Sequence, residues 1–184
     1  MKTAIYIFDT KVLEDKTIFS AELAKMTDYR KQRVDSYRDE NDRRLCLGTG
    51  IVLSYALKKA GENEAELEYT KKESGMPYFK NRPDLHFSLS HSGERAMCAV
   101  SDSPIGCDVE LLGNGEASYS DTVHWTQIES YAKATDTPLA YLMGNKTAMD
   151  STYQFCGFER NDGYIYTVCS KETITDSALE IVEL

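Results

Sequence analysis

Apolar and polar residues alternate along several short stretches of this chain. Along two longer stretches the apolar residues recur every third or fourth position, and that contrast separates strands from helices. Thr3 to Phe8 reads as a first strand ending at Asp9. Ser20 opens a helical stretch carried by Leu23, Met26 and Tyr29, and a second helix runs near Asn41 to Ala60, with Gly61 as its stop signal. Ala65 to Thr70 reads as a strand, and the Gly75 and Pro77 in Lys71 to Pro83 mark a turn or loop.

The strand signal is clearest over His86–Ser90, Ala96–Ser101 and Ile105–Leu112, and the short SHSGER and DSP breaks between them predict one small antiparallel sheet. A helix follows from Trp125 to about Ala134. Three further strands are expected near Tyr153–Glu159, Tyr164–Ser170 and Ala178–Val182, with a hairpin turn at Asn161–Gly163. The polar stretch GNGEASYSDTVH reads as a flexible loop. MCAVSDSPIGCDVELL and YTVCSKETITDSALEIVEL share a strand, a polar break and a strand ending in an acidic residue, which hints at two similar halves.

With 184 residues, 41% hydrophobic and 28% charged, the chain has the composition of a folded globular protein of one domain or two small, closely packed halves. The N-terminal apolar run is too short and too soon interrupted by acids for a signal peptide. No stretch reaches the length of a membrane span, so a cytoplasmic protein is expected. The five cysteines form no CxxC pair and sit in apolar segments, which predicts free buried thiols. A net charge of −9 argues against a nucleic-acid or anionic-membrane binder. The exception is the segment from Arg30 to Arg44. There Arg30, Lys31, Arg33, Arg38, Arg43 and Arg44 outnumber the acids Asp35, Asp39, Glu40 and Asp42, a pattern open to a local anion site or to a solvated helix face.

Three stretches can carry chemistry. In IGCDVELL, strand alternation sets Asp108 and Glu110 on one face, opposite Ile105, Cys107, Val109 and Leu111. Such a pair suits Mg²⁺, which takes one or two carboxylates besides water and phosphate, and it equally suits an acidic outer face. In TQIESYAK, Glu129 and Lys133 are four apart on a helix. They either reach a common point or form a surface pair behind a Thr126/Glu129 capping box. In HFSLSHSG, Ser88 and Ser90 alternate against Phe87 and Leu89 ahead of His91, which could hold a phosphate or complete a turn. There is no GxSxG elbow to support a Ser/His hydrolase.

HFSLSHSG, AMCAVS, IGCDVEL and WTQIESYAKA, in that order, resemble the 4′-phosphopantetheinyl transferase superfamily, surfactin-synthetase-activating (Sfp-like) type. In that family an SHS segment, a GxDxE strand and a W-x-x-K-E-x-x-x-K helix define the site. The likeness extends over DRRLCLG, SGMPYF and GYIYTVCS.

It implies an α+β fold of two similar halves with pseudo-twofold symmetry, each an antiparallel sheet packed on a helix. The halves are expected at 1–102 and 103–184 of a single compact, monomeric chain, with the site between them. It implies transfer of 4′-phosphopantetheine from coenzyme A to a serine of an acyl or peptidyl carrier protein, with Mg²⁺ and release of adenosine 3′,5′-bisphosphate.

By position, Asp108, Glu110 and Glu129 would bind the metal, and Glu129 would also be the base. Lys133 and His91 would contact the phosphates beside Ser90, and Arg44 would approach the 3′-phosphate with Arg30 or Lys31. The chain departs from the pattern at Ile128 and Met76, where the family carries lysines; Lys71 or Lys72 would have to compensate for the missing charge. It departs again in the segment between Asp108 and Glu129, which stand only 21 positions apart. These departures frame a second reading, a non-catalytic relative that binds coenzyme A or a protein partner. A third is an unrelated α+β interaction protein.

Overall fold

The computed structural model describes residues 3–113, 118–145 and 148–184. In chain order these form β1 (Ala4–Asp9), α1 (Lys16–Lys25), α2 (Asp28–Ser36), α3 (Glu40–Lys59), β2 (Tyr69–Lys71), β3 (Pro77–Phe79), β4 (His86–Ser92), β5 (Arg95–Ser101), β6 (Ile105–Leu111), α4 (Tyr119–Thr135), α5 (Leu139–Gly144), β7 (Gln154–Phe158), β8 (Tyr164–Ser170) and β9 (Leu179–Val182). The fold is α+β, as expected.

The main sheets have the orders β4-β5-β1-β9 and β6-β8-β7, and β2 and β3 make a separate hairpin. Their inner faces share one apolar cluster, in which Ile5, Ile7, Met97 and Ala99 of the first meet Cys107, Val109, Tyr166 and Val168 of the second. The outer face of the first sheet carries Tyr6, Phe8, Ala96 and Cys98 against Leu47, Ile51 and Leu53 of α3. The second is covered by α4. Each sheet therefore has one long helix on its outside, although the first gains β9, parallel to β1, from the far end of the chain.

Several local expectations change. The stretch assigned to one helix opening at Ser20 is two helices, because Asp15 caps the backbone of Thr17 and Ile18 while Thr27 caps Arg30. The long helix is as expected, capped by Asp39 and stopped at Gly61, which has φ +79°. Residues 64–66 are a 3₁₀ turn rather than strand, leaving only Tyr69–Lys71 extended, and Pro77–Phe79 is a strand in the supposed loop.

The helix expected from Trp125 begins at Tyr119. Its capping box is Ser118 with Asp121, and Thr126 is a buried interior residue whose hydroxyl donates to the Val123 carbonyl. Of the expected loop GNGEASYSDTVH, residues 114–117 lie outside the described residues and 119–124 are helical. The five cysteines are free thiols. Among the described residues no helix is long and apolar enough to cross a membrane.

β6 does not join β4 and β5 in one hydrogen-bonded sheet. It pairs antiparallel with β8, and β4 runs alongside its other edge. Three serines bridge that edge: Ser88, Ser90 and Ser92 accept from the backbone N–H groups of Cys107, Val109 and Leu111 at 2.9, 3.3 and 3.1 Å. The steady offset of 19 means that the strands run the same way. The period-2 serines of HFSLSHS thus satisfy donors that would otherwise be stranded at a buried strand edge.

Candidate functional site

The serine bridge fixes the two carboxylates of β6. Ser90 Oγ donates to Asp108 Oδ1 at 2.7 Å, and Ser92 Oγ donates to Glu110 Oε2 at 2.7 Å. Asp108 is only 1% exposed, which overturns the acidic-outer-face alternative. What buries it is α4. Gly106, two residues earlier on the same face, lets the helix backbone approach so closely that a Cβ there would lie 1.9 Å from the Ser130 carbonyl oxygen.

That approach delivers Glu129 and Lys133, one turn apart. Lys133 Nζ donates to Asp108 Oδ1 at 2.7 Å, to the Cys107 carbonyl at 3.2 Å and to Ser90 Oγ at 3.3 Å, and it lies 3.3 Å from Glu129 Oε2. The i, i+4 pair is therefore half-buried and joined to the buried Asp108 rather than a surface ion pair behind a cap.

Burial pushes the Asp108 carboxyl up to about 6, against the pull of the Lys133 ammonium. Burial also opposes the charge on Lys133, but the neighbouring carboxylates outweigh it and hold the amine above the ordinary lysine value. His91 stands at the exposed rim. Desolvation against the protein wall, then the Lys133 ammonium, keep its imidazole below the usual histidine value.

These groups face one cavity of about 410 Å³, whose lining includes Ser90, His91, Asp108, Glu110, Glu129 and Lys133 on one side and Tyr29, Arg30 and Arg33 of α2, with Tyr37 just past its end, on the other. All the carboxylates expected at the site meet there, together with four of the six cationic or polar contacts expected for the phosphates.

The other two do not. Arg44 turns to Glu14 and Asn41 in a separate groove, and Lys31 stands 3.8 Å from Asp28 outside the cavity lining. Arg30 reaches the wall but is committed, with Nε 3.1 Å from Glu64 and Nη2 donating to the Tyr69 hydroxyl at 3.0 Å. Arg33, by contrast, lines the cavity and has no carboxylate within ion-pair distance among the described residues. The sequence reading singled out its neighbours. The helical spacing of 29, 30 and 33 is the signal that could have found it.

Of the departures from the family pattern, Ile128 is a core residue packed with Leu142 and Cys169. Met76 lines a second cavity, of about 360 Å³, on the far side of Pro77.

The donor set can be tested against Mg²⁺. Asp108 Oδ2 is buried without a hydrogen-bond partner, and the carboxylates of Glu110 and Glu129 open on the same cavity. Among the described residues no three such side chains converge on one point, and the Lys133 ammonium lies between Asp108 and Glu129. Hard oxygen donors with one orphaned carboxylate oxygen fit a cation that needs one or two protein carboxylates and takes its remaining ligands from water and phosphate.

No family model matches this chain. It is similar to a 4′-phosphopantetheinyl transferase of Bacillus subtilis, 37% identical over 79 residues, which are 43% of this chain and 35% of that protein. It is also similar to 4′-phosphopantetheinyl transferase Sfp of Bacillus subtilis (strain 168), at 34% over 74 residues, covering 40% and 33%. A third relative is 4′-phosphopantetheinyl transferase gsp of Aneurinibacillus migulanus, at 28% over 99 residues, covering 53% and 41%. The matched stretches span between a third and about two fifths of the length of these curated relatives. The Sfp-type likeness read from the motifs is thus carried by several curated transferases.

Proposed function

We propose that this protein transfers 4′-phosphopantetheine from coenzyme A to a serine hydroxyl of an acyl or peptidyl carrier protein, releasing adenosine 3′,5′-bisphosphate. The observation that carries the reading is the cavity wall on which a buried Asp108 with an unpartnered oxygen, Glu110 and Glu129 are held together, facing Arg33 on α2, which has no carboxylate within ion-pair distance among the described residues. The similarity to curated transferases supports the reaction class.

Asp108, Glu110 and Glu129 would hold Mg²⁺, which when bound neutralises charge on the pyrophosphate. The chain's own groups do the rest. Ser90 and Ser92 orient the β6 carboxylates, and Lys133 offers positive charge beside the transferring phosphoryl group. Glu129 takes the proton of the attacking serine hydroxyl. Arg33 and His91 bind the nucleotide phosphates. The halves 1–102 and 103–184 act as one monomeric unit of pseudo-twofold design around this cavity, with no nucleic-acid or membrane partner.

The experiment is intact-mass analysis of apo carrier proteins incubated with coenzyme A, Mg²⁺ and the protein. A phosphopantetheine mass gain is expected, and Asp108→Asn and Glu129→Gln are expected to abolish it. No gain across acyl and peptidyl carriers would defeat the reading. A second reading, a coenzyme A-binding module without transfer, is motivated by Met76 and Ile128, which bring no cation to the cavity; retained binding without mass gain would select it.

A smaller effect separates the arginines. Arg33→Ala is expected to weaken coenzyme A binding about tenfold, a typical loss for a charge-assisted contact. Arg44→Ala should change it less than twofold, both read by calorimetry.

A further inference from the structure

The hairpin of β2 and β3 forms a wall between the two cavities, and its lysines are divided between them. Lys71, the last residue of β2, lines the cavity with Arg33, Asp108 and Glu129, whereas Lys72, the first residue of the turn that follows, lines the second cavity with Met76. The division is fixed by a tight turn. Lys72 N–H donates to the Met76 carbonyl and Gly75 N–H to the Lys72 carbonyl, both at 2.9 Å, with Gly75 at φ +89°, a conformation suited to glycine. Register then sets Lys71 opposite Pro77, which both cavities share.

The partners of these cations differ as well. Lys72 has Asp136 4.0 Å away. Within the site cavity, Arg30 is taken by Glu64 and Lys133 by Asp108 and Glu129. Lys71 is exposed and, like Arg33, has no carboxylate within ion-pair distance among the described residues. The cavity is therefore polarised, with its carboxylates on β6 and α4 and its uncommitted positive charge on α2 and the hairpin.

We propose that Lys71 is a phosphate-binding residue of this site, supplying from β2 the cation that Met76, facing the other way, does not bring. The proposal rests on the transferase reading, since it assumes a ligand bearing several phosphate charges that spans the cavity.

The test is calorimetric titration of the full chain with adenosine 3′,5′-bisphosphate, and separately with coenzyme A, in EDTA at low salt. Lys71→Gln is expected to lower affinity for both about five- to tenfold, and Lys71→Arg to retain most of it. Lys72→Gln, on the same turn, should stay within twofold. Because the contact is between exposed charges, the gap between wild type and Lys71→Gln should close near 1 M salt, where screening acts within about 3 Å. A merely structural role would not give that salt dependence.

Lys71→Gln within twofold of wild type at low salt, or a loss unchanged by salt, would overturn the assignment while leaving the site reading intact. Failure of the wild-type protein to bind either ligand, with or without Mg²⁺, would instead remove the site reading and this proposal together.

Discussion

Gly106→Ala is expected to destabilise the protein by at least about 3 kcal/mol and to abolish transfer, although position 106 touches no proposed substrate atom. The new methyl carbon would lie 1.9 Å from the Ser130 carbonyl oxygen and 2.6 Å from the Ala134 backbone nitrogen. Those are main-chain atoms of α4, so no side-chain rotamer can relieve the overlap and the helix itself must move away by more than about 1 Å. Glu129 and Lys133 flank Ser130 and Ala134 on that helix. Any such movement lengthens the 2.7 Å contact between Lys133 and Asp108 and takes Glu129 from its place opposite β6. Urea unfolding measures the first loss and the carrier-protein mass assay the second. Gly144→Ala, where a Cβ meets nothing within 4 Å, provides the control and should leave both unchanged. A Gly106→Ala protein with wild-type stability would show that the close approach does not hold α4 in place.

The same close approach explains why α4 was only half legible in the sequence. Part of its buried face is a stripe of Thr122, Thr126 and Ser130, at four-residue spacing, beside the apolar Ile128 and Tyr131, because the close approach over Gly106 favours small side chains there and their hydroxyls find partners. Thr126, for one, lies 2.7 Å from Thr167 on β8. Apolar periodicity is blind to such a stripe, so the helix is visible only from Trp125 onward. Strands whose core face is apolar, such as β5, were readable, as was α3 with its cap and glycine stop.

Sheet membership was not readable, for a different reason. A DSP break after β5 looks the same whether β6 returns as a hairpin or crosses to another sheet. The deciding partners, Ser88, Ser90 and Ser92, lie 19 residues away. Strand and helix periodicity set the faces of the carboxylates and Lys133, and the family resemblance was what assigned them to one site. The arginines could not be placed, since charge in a sequence does not reveal that Glu64 and Tyr69 claim Arg30 while Arg33 meets no carboxylate among the described residues.

The second large effect concerns the pair at the centre of the site. Lys133→Met is expected to cost about 3–5 kcal/mol at pH 7.5, more than removal of an exposed lysine could, because it leaves Asp108 as a buried carboxylate without its countercharge. The loss should be conditional on that charge. In Asp108→Asn/Lys133→Met the orphaned anion is gone, Ser90 can still donate to the remaining side-chain oxygen, and most of the stability should return, giving a coupling energy of at least about 2 kcal/mol in a double-mutant cycle. Additive losses would mean that Lys133 contributes by packing its stem and not by pairing. The cycle also separates stability from chemistry. The double variant should unfold near wild-type urea concentrations yet produce no mass gain on any carrier protein, since neither the carboxylate nor the ammonium remains. A site arranged only for stability would have no reason to keep a carboxylate that burial pushes up to about 6 while leaving one of its oxygens unpartnered. Strain of that kind is tolerated where the group is needed for binding or catalysis.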